Sequence, residues 1–285
     1  MDLINRFMRV TLWFVFSIHL LQAQPEVGIV ASVKQDSILK GAGYTFIVEA
    51  VPDIVSPLTV SDQEFESHLK QLRNLKVPVY ALNIFLPGNL KLVGPSVNEA
   101  AILAYTQKVF ERCHQAGIKL IVWGSGGARR VPEGFSKTEA TGQFILIARK
   151  ISDQAAKYGV TLALENLNSA EANLITTVAE ALHVVKEVNR NNFKLCADIY
   201  HMLKEQESAS VLLQTNGYLV HCDIAERDER TPPGVHGEDF LEYFKALKKA
   251  NYSGKVVIEC RWNNLPAQAE PARVYLQQQI NKVWK

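Results

Sequence analysis

The sequence predicts an α/β protein, a single-domain (β/α)8 TIM barrel, and three observations predict it. Eight short apolar segments alternate with amphipathic ones, the order of a parallel sheet with helical crossovers. No GxGxxG follows the first segment, so the fingerprint of an open dinucleotide-binding sheet is absent. Charged or polar residues close several of the segments, and barrel enzymes carry their chemistry at the strand ends of one face.

In chain order, strands are expected over Val27–Val33, Thr45–Ala50, Val79–Phe85, Lys119–Trp123, Thr161–Glu165, Lys194–Asp198, Leu219–Ile224 and Lys255–Glu259. Several are too short and too apolar to alternate, as strands covered on both faces are. Ser61-Asp62 open a helix that runs to about Leu75. Asn98–Ala116 form the next, stopped by Gly117, and Thr138–Tyr158 another, stopped by Gly159. Thr176–Val188, Gly237–Ala250 and a terminal segment over Pro271–Val283 complete the set, while Met202–Gln214 reads as a polar helix. No linker-like stretch interrupts residues 25–285, which therefore form one domain.

The chain has 285 residues, enough for one barrel after a leader. A net charge of +2 and the lack of like-charge runs argue for no nucleic-acid partner. Residues 1–24 read as a signal peptide: Arg6 and Arg9, then VTLWFVFSIHLL, then Gln22-Ala23-Gln24-Pro25. Leu21 is large for the outer recognition position of such a leader. On this reading the protein is exported, to a periplasm or outside the cell. Cys113, Cys196, Cys222 and Cys260 form no CxxC pair, which disfavours a zinc knuckle, and small buried hydrophobes explain them more simply.

Four strand ends carry the candidate chemistry. TLALENLNSAE delivers Glu165, with Glu171 beyond it; KLCADIYHM delivers Asp198, with His201 one turn on. LVHCDIAERDER delivers His221 and Asp223, and VVIECRW delivers Glu259. A carboxylate that ends an apolar strand is costly to bury without a partner. For one such residue an ordinary salt bridge suffices, but four acids on adjacent strands about 5 Å apart repel one another. One divalent metal ion is the simplest compensation, and oxygen donors suit Mg, Mn or Co. His221 and Asp223, two apart, share a strand face, so either or both can reach the ion. Asn83, at the head of NIFLPG, and the glycine-rich GSGGARR over Gly124–Arg130 belong to loops at the same mouth.

At these residues the sequence resembles the xylose-isomerase-like barrel superfamily, in particular hydroxypyruvate isomerase and the ketose 3-epimerases. The resemblance covers nearly all of residues 25–285 and is strongest from Glu165 to Glu259. It implies that Glu165, Asp198, Asp223 and Glu259 bind one divalent ion. Asp223 departs from the pattern, which has a neutral Gln or His there, and makes the site more negative by one charge; His221 is the alternative ligand. The resemblance further implies substrate contacts from Glu171, His201 and Arg230; His221 and Asn83, by their places at the strand ends, are further candidates for substrate contact. It implies proton transfer beside a carbonyl, with Glu165 and Glu259 as acid and base and a metal-stabilised enediolate, on a small sugar or keto-sugar. Related barrels also form homo-oligomers. An exported chain raises a second reaction with the same parts, elimination from a 3-keto-glycoside by a lyase or hydrolase, and behind it a non-catalytic sugar-binding barrel.

Overall fold

The computed structural model describes residues 23–284; the leader read over residues 1–24 lies outside them except for its last two positions. Eight strands close in sequence order: β1 Val27–Val30, β2 Ile47–Ala50, β3 Val79–Asn83, β4 Leu120–Trp123, β5 Thr161–Glu165, β6 Phe193–Asp198, β7 Leu219–Ile224 and β8 Lys255–Ile258. All neighbouring pairs are parallel, and β1 pairs with β8, so the sheet has no free edge. The expected (β/α)8 barrel is therefore the observed one.

Helices α1 Asp36–Gly41, α2 Val51–Ile54, α3 Asp62–Arg73, α4 Glu99–Ala116, α5 Lys137–Lys157, α6 Val178–Val188, α7 Ile199–Lys204, α8 Leu241–Lys249 and α9 Leu265–Val283 surround it. Their starts follow local chemistry. Ser61 and Glu64 make a capping box on α3, and Asn98, Ser136 and Thr177 cap α4, α5 and α6. Asp198 ends β6 and caps α7 in one step, its carboxylate accepting the His201 N–H.

The core has two parts. A large apolar layer lies between barrel and helices, built on residues such as Phe85, Phe110, Trp123, Phe144 and Phe193. A smaller one plugs the barrel interior with Phe46, Val48, Ala81, Leu120, Val122, Ala163, Cys196 and Val257. Gly28 is required there, because any side chain at that position would overlap the Phe46 ring. With the lower interior filled, the open cleft lies at the carboxyl ends of the strands.

Several elements differ from expectation, each for a local reason. β1 and β3 are shorter: a 3-10 turn already holds Val33–Gln35, and Ile84 leaves the strand at φ +53°. The stretch over Met202–Gln214 is interrupted, α7 ending at Lys204 and a 3-10 helix following over Ala209–Gln214. Residues 237–240 are loop, Gly237 having φ +79°, so α8 starts at Leu241. α9 starts at Leu265 and runs through Pro271; burial of Ala269, Ala272, Leu276 and Ile280 holds it across the missing N–H. Glu259 lies one residue beyond β8, but its N–H still donates to Ile224 O (3.1 Å). The four cysteines are free thiols.

Candidate active site

Glu165, Asp198, Asp223 and Glu259 meet at the carboxyl ends of β5 to β8. Pairing sets Asp198 beside Asp223 across β6 and β7. Ligand-capable oxygens of Glu165, Asp223 and Glu259 lie within 4.8 Å of one another, and so do those of Glu165 and Asp198 with a His201 nitrogen. Gly124, after β4, makes room for Glu165, since a Cβ there would overlap its Oε2.

Asp198 is fully buried. Its N–H donates to Asn166 Oδ1 (2.9 Å), and its Oδ2 faces Arg230 Nη2 at 3.2 Å. Burial pushes its carboxyl up to about 6, against the pull of His201 and Arg230. Glu259 accepts from Asn83 Nδ2 (2.9 Å) on Oε1 and from Arg230 Nη2 (2.6 Å) on Oε2. Crowding by protein pushes its carboxyl well above the carboxylate range even though Arg230 opposes the shift; Asp223, Glu165 and Asp198 add to it. Arg230 also donates from Nε to Glu259 O (3.1 Å) and lies 4.7 Å from the Tyr200 ring centre. Burial works against its charge, but Glu259 and Asp198 outweigh it and raise its pKa, so it remains a cation.

His201 has a tautomer fixed by its neighbours. Asn168 Oδ1 accepts from the N–H groups of Ala170 (3.0 Å) and Glu171 (3.2 Å), which turns Asn168 Nδ2 toward His201 Nδ1 (2.8 Å). Nδ1 is thus an acceptor, and the Nε2–H faces Asp198 Oδ2 at 3.3 Å and Glu165 Oε1 at 3.5 Å. Burial opposes protonation of this ring, but the two carboxylates outweigh it and hold its pKa above the usual value. Asn168 Nδ2 also reaches Glu171 Oε1 (3.0 Å), tying Glu171 to the same network.

His221 takes a different place. It is fully buried, its Nε2 meets Asp223 Oδ1 at 3.0 Å, and its ring stacks on Tyr80 with centres 6.1 Å apart. Cys196 Sγ donates to the other Asp223 oxygen (3.3 Å). His221 therefore lies beneath Asp223 and does not line the cleft, unlike Asn83, Glu171, His201 and Arg230. The cleft, about 450 Å3, opens over Glu165 and Glu259.

The donor set fits a hard divalent cation. Four carboxylates converge against one guanidinium and two imidazoles, His201 and His221, the carboxylate donors are all oxygen, and burial penalises negative charge that is not compensated.

Three features escaped sequence reading. Arg129, in GSGGARR, is fully buried and bonds Glu165 O (2.8 Å) and Ile175 O (3.2 Å), away from the mouth. Burial pushes its guanidinium down to about 10. Cys196 is a partner of Asp223, though it reads as a strand hydrophobe. Glu226, fully buried, accepts the N–H groups of Gly234 (2.7 Å), His236 (2.6 Å), Gly237 (3.0 Å) and Glu238 (3.1 Å). It organises the loop that carries Arg230. Its spacing after Asp223 is the only sequence signal for it.

Comparison with known proteins agrees with this architecture. The chain is 31% identical over 179 residues to a D-psicose 3-epimerase of Agrobacterium fabrum, a match covering 60% of this chain and 62% of that enzyme. It is 30% identical over 179 residues to the 3-dehydro-D-guloside 4-epimerase of Escherichia coli, covering 59% of this chain and 68% of the relative. The crystal structure of a Clostridium cellulolyticum D-psicose 3-epimerase with D-tagatose superposes with a TM-score of 0.77 at 20% identity, over 91% of this chain and 99% of that one. A family model described as xylose isomerase-like TIM barrel matches residues 37–279. The chain belongs to the xylose isomerase-like TIM-barrel family.

Proposed function

We propose that the protein is a divalent-metal-dependent epimerase or isomerase of a sugar or keto-sugar, moving a proton at a carbon beside a carbonyl. The observation that carries this is the convergence of Glu165, Asp198, Asp223 and Glu259 under a cleft whose other polar groups suit sugar hydroxyls. The epimerase names of its relatives support it.

Glu165, Asp198, Asp223 and Glu259 would hold the divalent ion, which would supply Lewis-acid chemistry toward the substrate carbonyl. Asp223 is the fourth ligand in this assignment. His221 Nε2 is turned to Asp223 Oδ1 and Cys196 faces Oδ2, so both hold the extra carboxylate in place. Glu165 and Glu259 transfer the proton. One of the two removes the proton and the other returns it. Return of the proton to the opposite face of the same carbon gives an epimer; return to the neighbouring carbon gives an isomer. The Nε2–H of His201 and the guanidinium of Arg230 donate to substrate oxygens, and Glu171 accepts from a hydroxyl.

The test is solvent-deuterium incorporation by NMR over a panel of free ketoses and 3-keto-glycosides, with Mn, Mg and Co supplied. Epimers labelled at the carbon beside the carbonyl are expected. Loss of an aglycone without epimer formation replaces this assignment with the lyase. Glu259→Gln is expected to lower kcat by about 10²–10⁴-fold with the ion still bound; full turnover in that variant removes Glu259 from the mechanism.

A further inference from the structure

Cys196 and His221 take no part in the proton transfer, yet both are turned to Asp223. Cys196 Sγ lies 3.3 Å from Asp223 Oδ2, and His221 Nε2 lies 3.0 Å from Oδ1. Strand register brings them together, Cys196 on β6 standing opposite His221 on β7. Cys196 and His221 are fully buried, and Asp223 nearly so. Ligand-capable atoms of all three lie within 4.8 Å of one another.

Hydrogen bonding alone leaves this cluster incomplete. A neutral imidazole has one donor and one acceptor nitrogen. With His221 Nε2 on Asp223, Nδ1 is buried without a partner among the described residues. Buried polar atoms are nearly always met, so an unmet one calls for a reason. The fold therefore does not saturate this ring.

Charge points the same way. Glu165, Asp198, Asp223 and Glu259 bring four negative charges to a buried centre, and Arg230 with one divalent ion returns three. Asp223, in place of a neutral strand-seven ligand, is the source of the surplus. A second divalent ion on a Cys196 thiolate cancels it, with both imidazoles neutral.

The donors here also differ in kind from those of the carboxylate centre. A thiolate, an imidazole nitrogen and a carboxylate oxygen make a set that zinc takes, with water in the fourth position. Tetrahedral zinc holds such donors about 3.3–3.7 Å apart, from its usual bond lengths. The spacings of 3.0 and 3.3 Å at Asp223 need little change to reach that.

We propose that Cys196, His221 and Asp223 form a second metal site, for an ion of the zinc class, joined through the Asp223 carboxylate to the ion of the carboxylate centre. This rests on the assignment of Asp223 as a ligand of that first ion. Binding turns the Cys196 thiol into a thiolate and releases its proton to solvent.

The experiment loads the chelator-stripped full chain with Mn, zinc or cobalt and counts ions per chain by plasma mass spectrometry after dialysis. Mn is expected to fill one site and zinc two. Cobalt is expected to show a thiolate-to-metal charge-transfer band in the near ultraviolet. Cys196→Ser keeps a donor to Asp223 but removes the thiolate. It is expected to lose the band and to weaken the second zinc at least about 100-fold, more than the loss of a residue that only orients a ligand. It is expected still to hold one Mn. Thermal melts check that the variant folds. Anomalous diffraction at the zinc edge, on crystals of the unaltered chain, locates the second ion without any variant. No thiolate band, a band that persists in Cys196→Ser, or zinc missing from beside Cys196 overturns the site. If Mn fails to bind while zinc sits at Cys196 with the band present, the carboxylate assignment falls and the thiolate site remains.

Discussion

Asp198 carries two duties on one side chain: it faces Arg230 and His201 at the centre, and it caps α7. Its carboxyl is pushed up to about 6 by burial, so between its ordinary range and that value the folded chain holds a proton that the unfolded chain releases. Unfolding then becomes easier as pH rises from about 4 through about 6, and levels off above. Chelator-treated protein is expected to lose melting temperature across that window. Saturating Mn is expected to flatten the loss, because the cation favours the charged carboxylate. Melts at several pH values with and without the ion check this, and an identical slope in both sets counts against the metal site. The acids themselves were legible in the sequence, since a carboxylate closing an apolar strand stands out. The setting of His201 was not: its tautomer depends on Asn168, whose orientation depends on the N–H groups of a turn at residues 170 and 171.

At the scale of elements, the β7 loop shows how one buried acid replaces regular structure. Gly237–Phe240 were expected to be helical, but the N–H groups of residues 234 and 236–238 point at the Glu226 carboxylate. Four charge-assisted bonds hold a segment that would otherwise be free to wander, with the Glu226 N–H itself on Thr231 O (3.0 Å). Glu226→Gln is expected to cost at least about 2 kcal/mol in denaturant unfolding, because its amide cannot accept on both ends. Displacing Arg230 by about 1 Å is expected to lower kcat/KM by roughly 10²-fold. A variant with normal activity and lowered stability would separate the loop from the catalytic role of Arg230. Short strands were readable as apolar runs, and helices from periodicity and from Ser61, Asn98, Gly117 and Gly159. Loops held by distant side chains, as here and at Arg129, leave no local pattern to read.

For the whole molecule, the barrel divides into a filled floor and a polar mouth. Phe46 fills the floor against Tyr80, ring centres 5.2 Å apart, in space that Gly28 leaves open. Phe46→Ala is expected to lower unfolding free energy by about 3–5 kcal/mol, read from the denaturant midpoint. The folded fraction is expected to keep its ion affinity, since the floor holds no carboxylate of the site. Equal losses of stability and ion affinity would mean that the two layers are not separable. Barrel closure was legible because eight apolar segments and their polar ends agreed on one architecture. The packing of the loops after β3 and β4 against each other at the mouth was not legible, because it depends on contacts between distant segments such as the Leu86 N–H on Ser125 Oγ.

One consequence follows from the cap on α7. A six-residue helix has little stability of its own, and here its first turn hangs on an oxygen of the same carboxylate that faces the centre. Amide hydrogen exchange in residues 199–204 should therefore act as a built-in gauge of occupancy. Protection is expected to rise when Mn fixes Asp198, with α4 on the far side of the barrel as the unchanged control. Mass spectrometry of the exchanged peptides would read it without any substrate in hand.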